Sequence, residues 1–287
     1  MTHILINGEY NETISVLDRG LHYGDGLFET LKVLRGRPLF LEQHLQRLRQ
    51  GCERLRLAPP QWNALREETQ ILAQDAERAV LKILLTRGQG GRGYRIAERS
   101  STNRIIIRYP FPHYPEHFYR HGVEVRMCDT RLAANPQLAG IKHLNRLEQV
   151  LARSEWQEES IAEGLMMDHN GHIVEATMSN VFLVGNGRLC TPDVKTCGIA
   201  GIMRQQVLDM AQDLGISHDI TEVKKSDLLT ASEIFLTNSV IGIWPVRKVL
   251  AEAYIDYKIG PVTEKLMQTL AGLEMRQEGS QEVRQEV

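Results

Sequence analysis

The sequence predicts an α/β (α+β) protein of two domains, and three observations carry that prediction. Short runs of β-branched residues alternate with stretches whose apolar residues recur every three or four positions. The 287 residues suffice for two units of ordinary domain size. Prolines at 110, 112 and 115 interrupt regular structure before the midpoint. These place an N-terminal domain at residues 1–116, an interdomain linker at 117–122 and a C-terminal domain at 123–274. The polar tail 275–287, rich in Gln and Glu, is expected to be disordered.

In chain order, Ile4, Leu5 and Ile6 form a strand that meets a turn at Asn7 and Gly8, and residues 28–34 form another that turns at 35–38. From Glu42, the positions Leu45, Leu48, Cys52 and Leu55 mark a helix with one buried stripe, and a second runs from Trp62 through Leu72. Residues 80–85 and 104–109 are strands flanking a glycine-rich loop, and 109–115 is an extended connection. The second half opens with a strand at 123–127 and a helix over 144–157, with Leu147, Val150, Leu151 and Ala152 as its apolar positions. Two hairpins turn at 170–171 and 185–187. A helix over 202–214, a strand over 233–237 and a helix opened by Pro261 complete the order.

Lys and Arg number 34 against 36 Asp and Glu, a net charge of −2, so no basic excess exists to meet a nucleic acid or an anionic membrane. No apolar run approaches the roughly 20 residues that span a bilayer, and the first residues enter a strand without a leader pattern, so a cytoplasmic protein is expected. Cys52, Cys128, Cys190 and Cys197 are scattered, which predicts free thiols rather than a disulfide framework or a metal site. His113, His117 and His121 fall four apart, but Pro112 and Pro115 argue against the helix that would align them as ligands; solvated linker histidines are expected.

The run Gly88-Gln89-Gly90-Gly91-Arg92-Gly93 satisfies a dinucleotide-binding pattern but leads into a strand instead of a helix, so that reading fails. It remains either a flexible hairpin tip or, with Arg87, Arg92 and Arg95, an anion clamp. Gly198 and Gly201 before a helix could let backbone N–H groups close around a phosphate, with 236–239 supplying short polar side chains. Arg47 reads as a solvated arginine on its helix. Lys142 follows an uncharged stretch, and an amine in an apolar cleft has a lowered pKa that suits imine formation and proton transfer. Glu175 alternates with apolar neighbours and faces either solvent or a buried cation.

Taken together, residues 18–29, 44–48, Lys142, Glu175 with 179–182, and 198–204 resemble the branched-chain aminotransferase-like, fold-type IV pyridoxal-phosphate enzymes over residues 4–270. That resemblance implies a two-domain fold with pyridoxal 5'-phosphate between the domains, and a homodimer whose partner contributes to the site. Lys142 would hold the cofactor covalently and act as the catalytic base. Glu175 would bond the pyridine nitrogen, while Arg47, the backbone of Ile202 and Met203, and Asn238 or Ser239 would hold the phosphate. Tyr23, Phe28, Arg92 and Tyr94 would shape the substrate side, with Arg92 meeting a carboxylate. Residues 87–94 and 140–149 resemble the lyase branch, which releases 4-aminobenzoate and pyruvate from a small-molecule substrate. Transamination of D-amino or branched-chain amino acids is the alternative, and a non-catalytic cofactor-binding protein is argued against by the Lys142 and Glu175 pair.

Overall fold

The structure, a computed structural model, describes residues 3–97, 101–251 and 253–279. The chain divides into two compact units. One comprises residues up to Pro112, Ile141–Asn145 and those from Glu274 onward; the other comprises His113–Gly140 and Arg146–Leu273.

In chain order the first unit holds β1 (His3–Ile6), β2 (Glu9–Tyr10), α1 (Arg19–Tyr23), β3 (Gly26–Leu34), β4 (Arg37–Pro38), α2 (Leu41–Leu55), α3 (Trp62–Ala73), β5 (Arg78–Thr86) and β6 (Asn103–Pro110). The six strands form one sheet in the order β2-β1-β6-β5-β3-β4. The strands β3 and β5 pair antiparallel from Gly26 opposite Thr86 to Leu34 opposite Arg78. Along β3 the odd positions Leu27, Leu31 and Val33 are buried, as the period of two requires, and Glu29 shares their face. The expected stripe of α2 is present: His44, Leu45, Leu48, Gly51 and Cys52 are its buried residues. With Leu65 and Leu72 of α3 and Leu81, Ile83 and Leu85 of β5, these side chains make the unit's core.

The second unit contains α4 (Glu116–Arg120), β7 (Val123–Leu132), α5 (Leu147–Arg153), β8 (Ile161–Asp168), β9 (His172–Ala176), β10 (Asn180–Gly185), β11 (Arg188–Pro192), α6 (Ile202–Asp213), β12 (His218–Thr221), β13 (Val223–Lys224), α7 (Lys225–Thr230), β14 (Glu233–Asn238), β15 (Gly242–Leu250) and β16 (Tyr254–Asp256). A last helix, α8 (Pro261–Gly279), opens here. Its ten strands join in one sheet, ordered β12-β11-β10-β14-β15-β7-β8-β9-β13 with β16 beside β15. Both expected hairpins form, β8 with β9 and β10 with β11, and Gly171 takes the positive φ its turn demands.

Four expectations are corrected. The helix foreseen over 144–157 is confined to Leu147–Arg153, because His143 bridges to Leu27 of β3 and Leu144 donates its N–H to the carbonyl of Gly26. Of its apolar positions only Ala152 is buried, while Leu147, Val150 and Leu151 are exposed. Glu116–Arg120, which runs into the expected linker at 117–122, is helical, since Phe118 and Tyr119 pack their rings against Trp244 and hold a helical turn despite Pro112 and Pro115. His117 lies on that helix and His121 caps it. The tail is helical through Gly279, and the disorder expected over 280–287 falls outside the described residues. Strand β15 was not foreseen: Ile243, Trp244 and Val246 are all buried, so it carries no alternating pattern. Cys52, Cys128, Cys190 and Cys197 are all free, the first two and Cys197 being buried. Among the described residues no helix is long and apolar enough to cross a membrane.

Candidate active site

In the first unit, the segment that carries Lys142 lies beside β3. The N–H of Phe28 donates to the carbonyl of Lys142 at 2.9 Å and that of Leu144 to Gly26 at 3.0 Å, which fixes the register at Leu27 and His143. The pairing sets the Lys142 ammonium over the Phe28 ring, with Nζ 4.3 Å from the centroid, a cation–π placement. Lys82 of β5 approaches the same ring at 5.3 Å.

Behind β3, Glu29 organises two side chains of α2. Its carboxylate receives Arg47 Nε at 2.7 Å and Nη2 at 2.5 Å, and lies 2.6 Å from His44 Nδ1. Burial alone would raise the Glu29 pKa, but Arg47 and His44 overcome it and hold the group at about 2. Burial pushes His44 below its ordinary value, opposed by Glu29 and aided by Arg47 and Lys142. A neutral imidazole with its proton on Nδ1 satisfies both partners. Arg47 is therefore no solvated arginine of a helix face, as its sequence position suggested; it is part of a buried charge network.

Tyr23, at the end of α1, meets Tyr94 with ring centroids 5.4 Å apart, and its hydroxyl accepts the N–H of Gly93 at 3.3 Å. Arg92 and Tyr94 are exposed. Arg87 does not join them as an anion clamp: Asp25 takes its Nε and one Nη2 N–H, and the carbonyls of Leu55 and Arg56 at the end of α2 take the other Nη2 N–H and one from Nη1.

In the second unit Glu175 is 3% exposed on β9, which excludes the solvent-facing alternative. Its Oε2 accepts the N–H of Ile199 at 2.8 Å, within the loop that enters α6. The loop is pinned where Gly140 and Ala200 exchange backbone bonds of 2.9 and 3.0 Å with Gly198 and Gly140. Asn180 supports it by donating Nδ2 to the Ile199 carbonyl at 2.9 Å. The N-cap of α6 is Gly201, which has no side chain to cap it, so the N–H groups of Ile202 and Met203 lie in a first turn at the positive end of the helix dipole without a cap from that residue. Asn238 ends β14 with its amide committed to a turn: Nδ2 donates to the carbonyl of Met178 at 3.0 Å, and Oδ1 accepts the N–H groups of Val240 and Ile241. Ser239 follows, half-buried. Glu163, buried on β8, holds the turn before β10 by accepting from Met178 N–H at 2.9 Å, Ser179 Oγ at 2.9 Å and Thr177 Oγ1; burial raises its pKa against those donors.

The structure adds Glu29, His44, Lys82, Glu163 and Asn180, to which the sequence alone assigns no role. A signal for two of them existed, since Glu29 occupies an inward position of β3 and His44 lies in the apolar stripe of α2, where an unpaired polar group would be costly.

The fold defines the class of protein. The family model for Amino-transferase class IV matches residues 26–249, and the chain belongs to that family. Over 266 residues it is 34% identical to an aminodeoxychorismate lyase of Vibrio harveyi, covering 92% of this chain and 98% of that one. Its structure is similar to that of 4-amino-4-deoxychorismate lyase from Pseudomonas aeruginosa, with a TM-score of 0.89, 45% identity, and 94% and 98% of the two chains covered. The Escherichia coli branched-chain amino acid aminotransferase structure matches at a TM-score of 0.85 with 26% identity, covering 94% of each chain.

Proposed function

We propose that this protein is a pyridoxal 5'-phosphate-dependent lyase that converts 4-amino-4-deoxychorismate to 4-aminobenzoate and pyruvate. The observation that carries the reading is the 45% identity to the Pseudomonas lyase over nearly both whole chains, against 26% to the transaminase of the same fold.

The residues present fit the cofactor. The first turn of α6 at Ile202 and Met203, the Arg47 guanidinium and the Ser239 hydroxyl, beside an Asn238 spent on its turn, are donors suited to a phosphate. The buried Glu175 carboxylate suits a protonated ring nitrogen, and the Lys142 amine suits an aldehyde. When bound, pyridoxal phosphate supplies an acceptor for the electron pair released at the substrate carbon.

The Lys142 amine would remove the proton from substrate C4. Its position over Phe28 limits the directions from which Nζ can approach. The buried Glu175 carboxylate would hold a proton on the ring nitrogen. The neighbouring C–O bond breaks and the group departs as enolpyruvate, which regains a proton equivalent to the one taken from C4 and becomes pyruvate; the ring left behind is aromatic, so no keto acid or other co-reactant is consumed. Arg92 meets a substrate carboxylate, and Tyr23, Phe28 and Tyr94 bound the ring. The protein acts in the cytoplasm as a homodimer; Leu147, Val150 and Leu151 supply an exposed apolar face of the kind such an association covers.

Purified holoenzyme mixed with 4-amino-4-deoxychorismate should release 4-aminobenzoate, followed by its fluorescence. No release, with the cofactor demonstrably bound, contradicts the reading.

A further inference from the structure

We propose that Arg19 is a positioning residue that fixes the glycine-rich loop at 88–94, and with it the placement of Arg92 and Tyr94, for recognition of the substrate. The part of this inference that concerns substrate rests on the lyase reading above; the tether itself does not.

Left to itself the loop has little to order it. Gly88 and Gly93 lie at positive φ, no atom of the described residues approaches within 4 Å of where a Cβ would stand at Gly91 or Gly93, and Tyr94 is 83% exposed. Glycines at such positions raise the entropy that ordering must overcome, and burial of Tyr94 contributes little against it.

Hydrogen bonds from residues 17–23 provide the order instead. The N–H of Arg19 donates to the carbonyl of Gly88 at 2.9 Å, and the N–H of Gly90 donates to the carbonyl of Leu17 at 3.2 Å. The Arg19 side chain then reaches the far end of the loop, with Nη1 donating to the Gly93 carbonyl at 2.9 Å and Nη2 to the Tyr94 carbonyl at 3.4 Å. Its guanidinium lies 4.8 Å from the Tyr23 ring centroid, and that ring meets Tyr94.

The arm that reaches is itself anchored. Arg19 Nε donates to Asp25 Oδ2 at 2.9 Å, and the same carboxylate is gripped by Arg87, which also donates to the carbonyl of Leu55 at the end of α2. Burial would raise Asp25, but Arg87 and Arg19 keep it below the ordinary carboxylate range and hence charged. The carboxylate and the two carbonyls are met by three different nitrogens, Nε, Nη1 and Nη2, a spread that the single ammonium of a lysine would not cover. Gly90 makes room for the arm, since a Cβ there would stand 2.6 Å from Arg19 Cδ.

The test is limited trypsin digestion of the holoenzyme, comparing cleavage after Arg92 and Arg95 with cleavage after Arg120, which is exposed at the end of α4. Arg19→Met keeps the aliphatic arm and leaves Asp25 paired with Arg87; it should raise the ratio of loop to reference cleavage at least tenfold. It should also raise KM for 4-amino-4-deoxychorismate about tenfold with kcat within threefold and the cofactor absorbance unchanged. Gly90→Ala, which displaces the arm without removing a charge, should shift ratio and KM in the same directions and serves if Arg19→Met does not fold. An unchanged ratio overturns the tether, and a raised ratio with unchanged KM overturns its role in recognition. A wild-type holoenzyme that does not act on the substrate contradicts the lyase reading, while the ratio still decides the tether.

Discussion

Glu29 Oε2 lies 2.6 Å from His44 Nδ1, and both side chains are buried. The pair matters through its third member, because the same carboxylate takes two N–H groups of Arg47 and so fixes the plane of that guanidinium. His44 Nε2 is buried and has no hydrogen-bond partner among the described residues, and burial and the nearby charges of Arg47 and Lys142 disfavour a second proton on the ring.

A pH dependence of stability follows. Glu29 is held at about 2 against an ordinary 4.5, so the unfolded chain binds the extra proton between these values and stability falls as pH drops through that window. The lowered His44 acts in the same direction, because below its ordinary 6.5 the unfolded chain takes up a proton that the folded state resists. Glu29 accounts for about 3 kcal/mol. Urea unfolding from pH 7 down to 3 should show the decline, and Glu29→Gln should flatten it between pH 4.5 and 3. An equally steep decline in the variant would place its origin elsewhere.

Lys142→Ala should abolish the cofactor's visible absorbance and the activity together. In the wild type, borohydride reduction followed by peptide mapping should mark the peptide that contains Lys142. A tag on Lys82, which approaches the same Phe28 ring, would move the attachment site across β3.

Glu175→Gln should keep the cofactor while lowering kcat. A charge-assisted hydrogen bond is worth about 1.5–3 kcal/mol, or roughly ten- to a hundredfold in rate if it is lost in the transition state. An unchanged kcat would show that the buried carboxylate serves only to hold Ile199.

At Gly201 a Cβ would overlap Asn180 Oδ1, so Gly201→Ala should shift the start of α6 away from its present course. Titration of apoprotein with pyridoxal phosphate, followed by fluorescence, should show roughly tenfold weaker binding, equivalent to about 1.4 kcal/mol. Gly185→Ala, with open space around its Cβ position, is the control and should bind as the wild type does.

The elements that could be read from sequence are those whose burial is one-sided. Helix α2 shows its stripe and β3 its alternation, and the turn at Asn170 and Gly171 announces a hairpin. Where burial covers both faces, as in β15, or where a partner strand captures a helix-forming segment, as at Leu144, local pattern carries no such information. The site divides the same way. Lys142 and Glu175 stand out as charges in apolar stretches, whereas Glu29 serving Arg47 and Arg19 serving the loop depend on residues distant in sequence. Arg87 illustrates the converse, a cation beside glycines whose commitment to Asp25 no spacing reveals.

Turnover without an acceptor tests the central claim most directly. A lyase returns to its starting form in every cycle, whereas a transaminase must be reset by a keto acid. With 4-amino-4-deoxychorismate in large excess over holoenzyme and no keto acid present at the start, the account predicts many turnovers with 4-aminobenzoate and pyruvate in equal amounts from the first cycle on, at a rate that added 2-oxoglutarate does not change. To keep released pyruvate from acting as an acceptor, lactate dehydrogenase and NADH would remove and count it. A single turnover that stalls until 2-oxoglutarate is supplied would contradict the account.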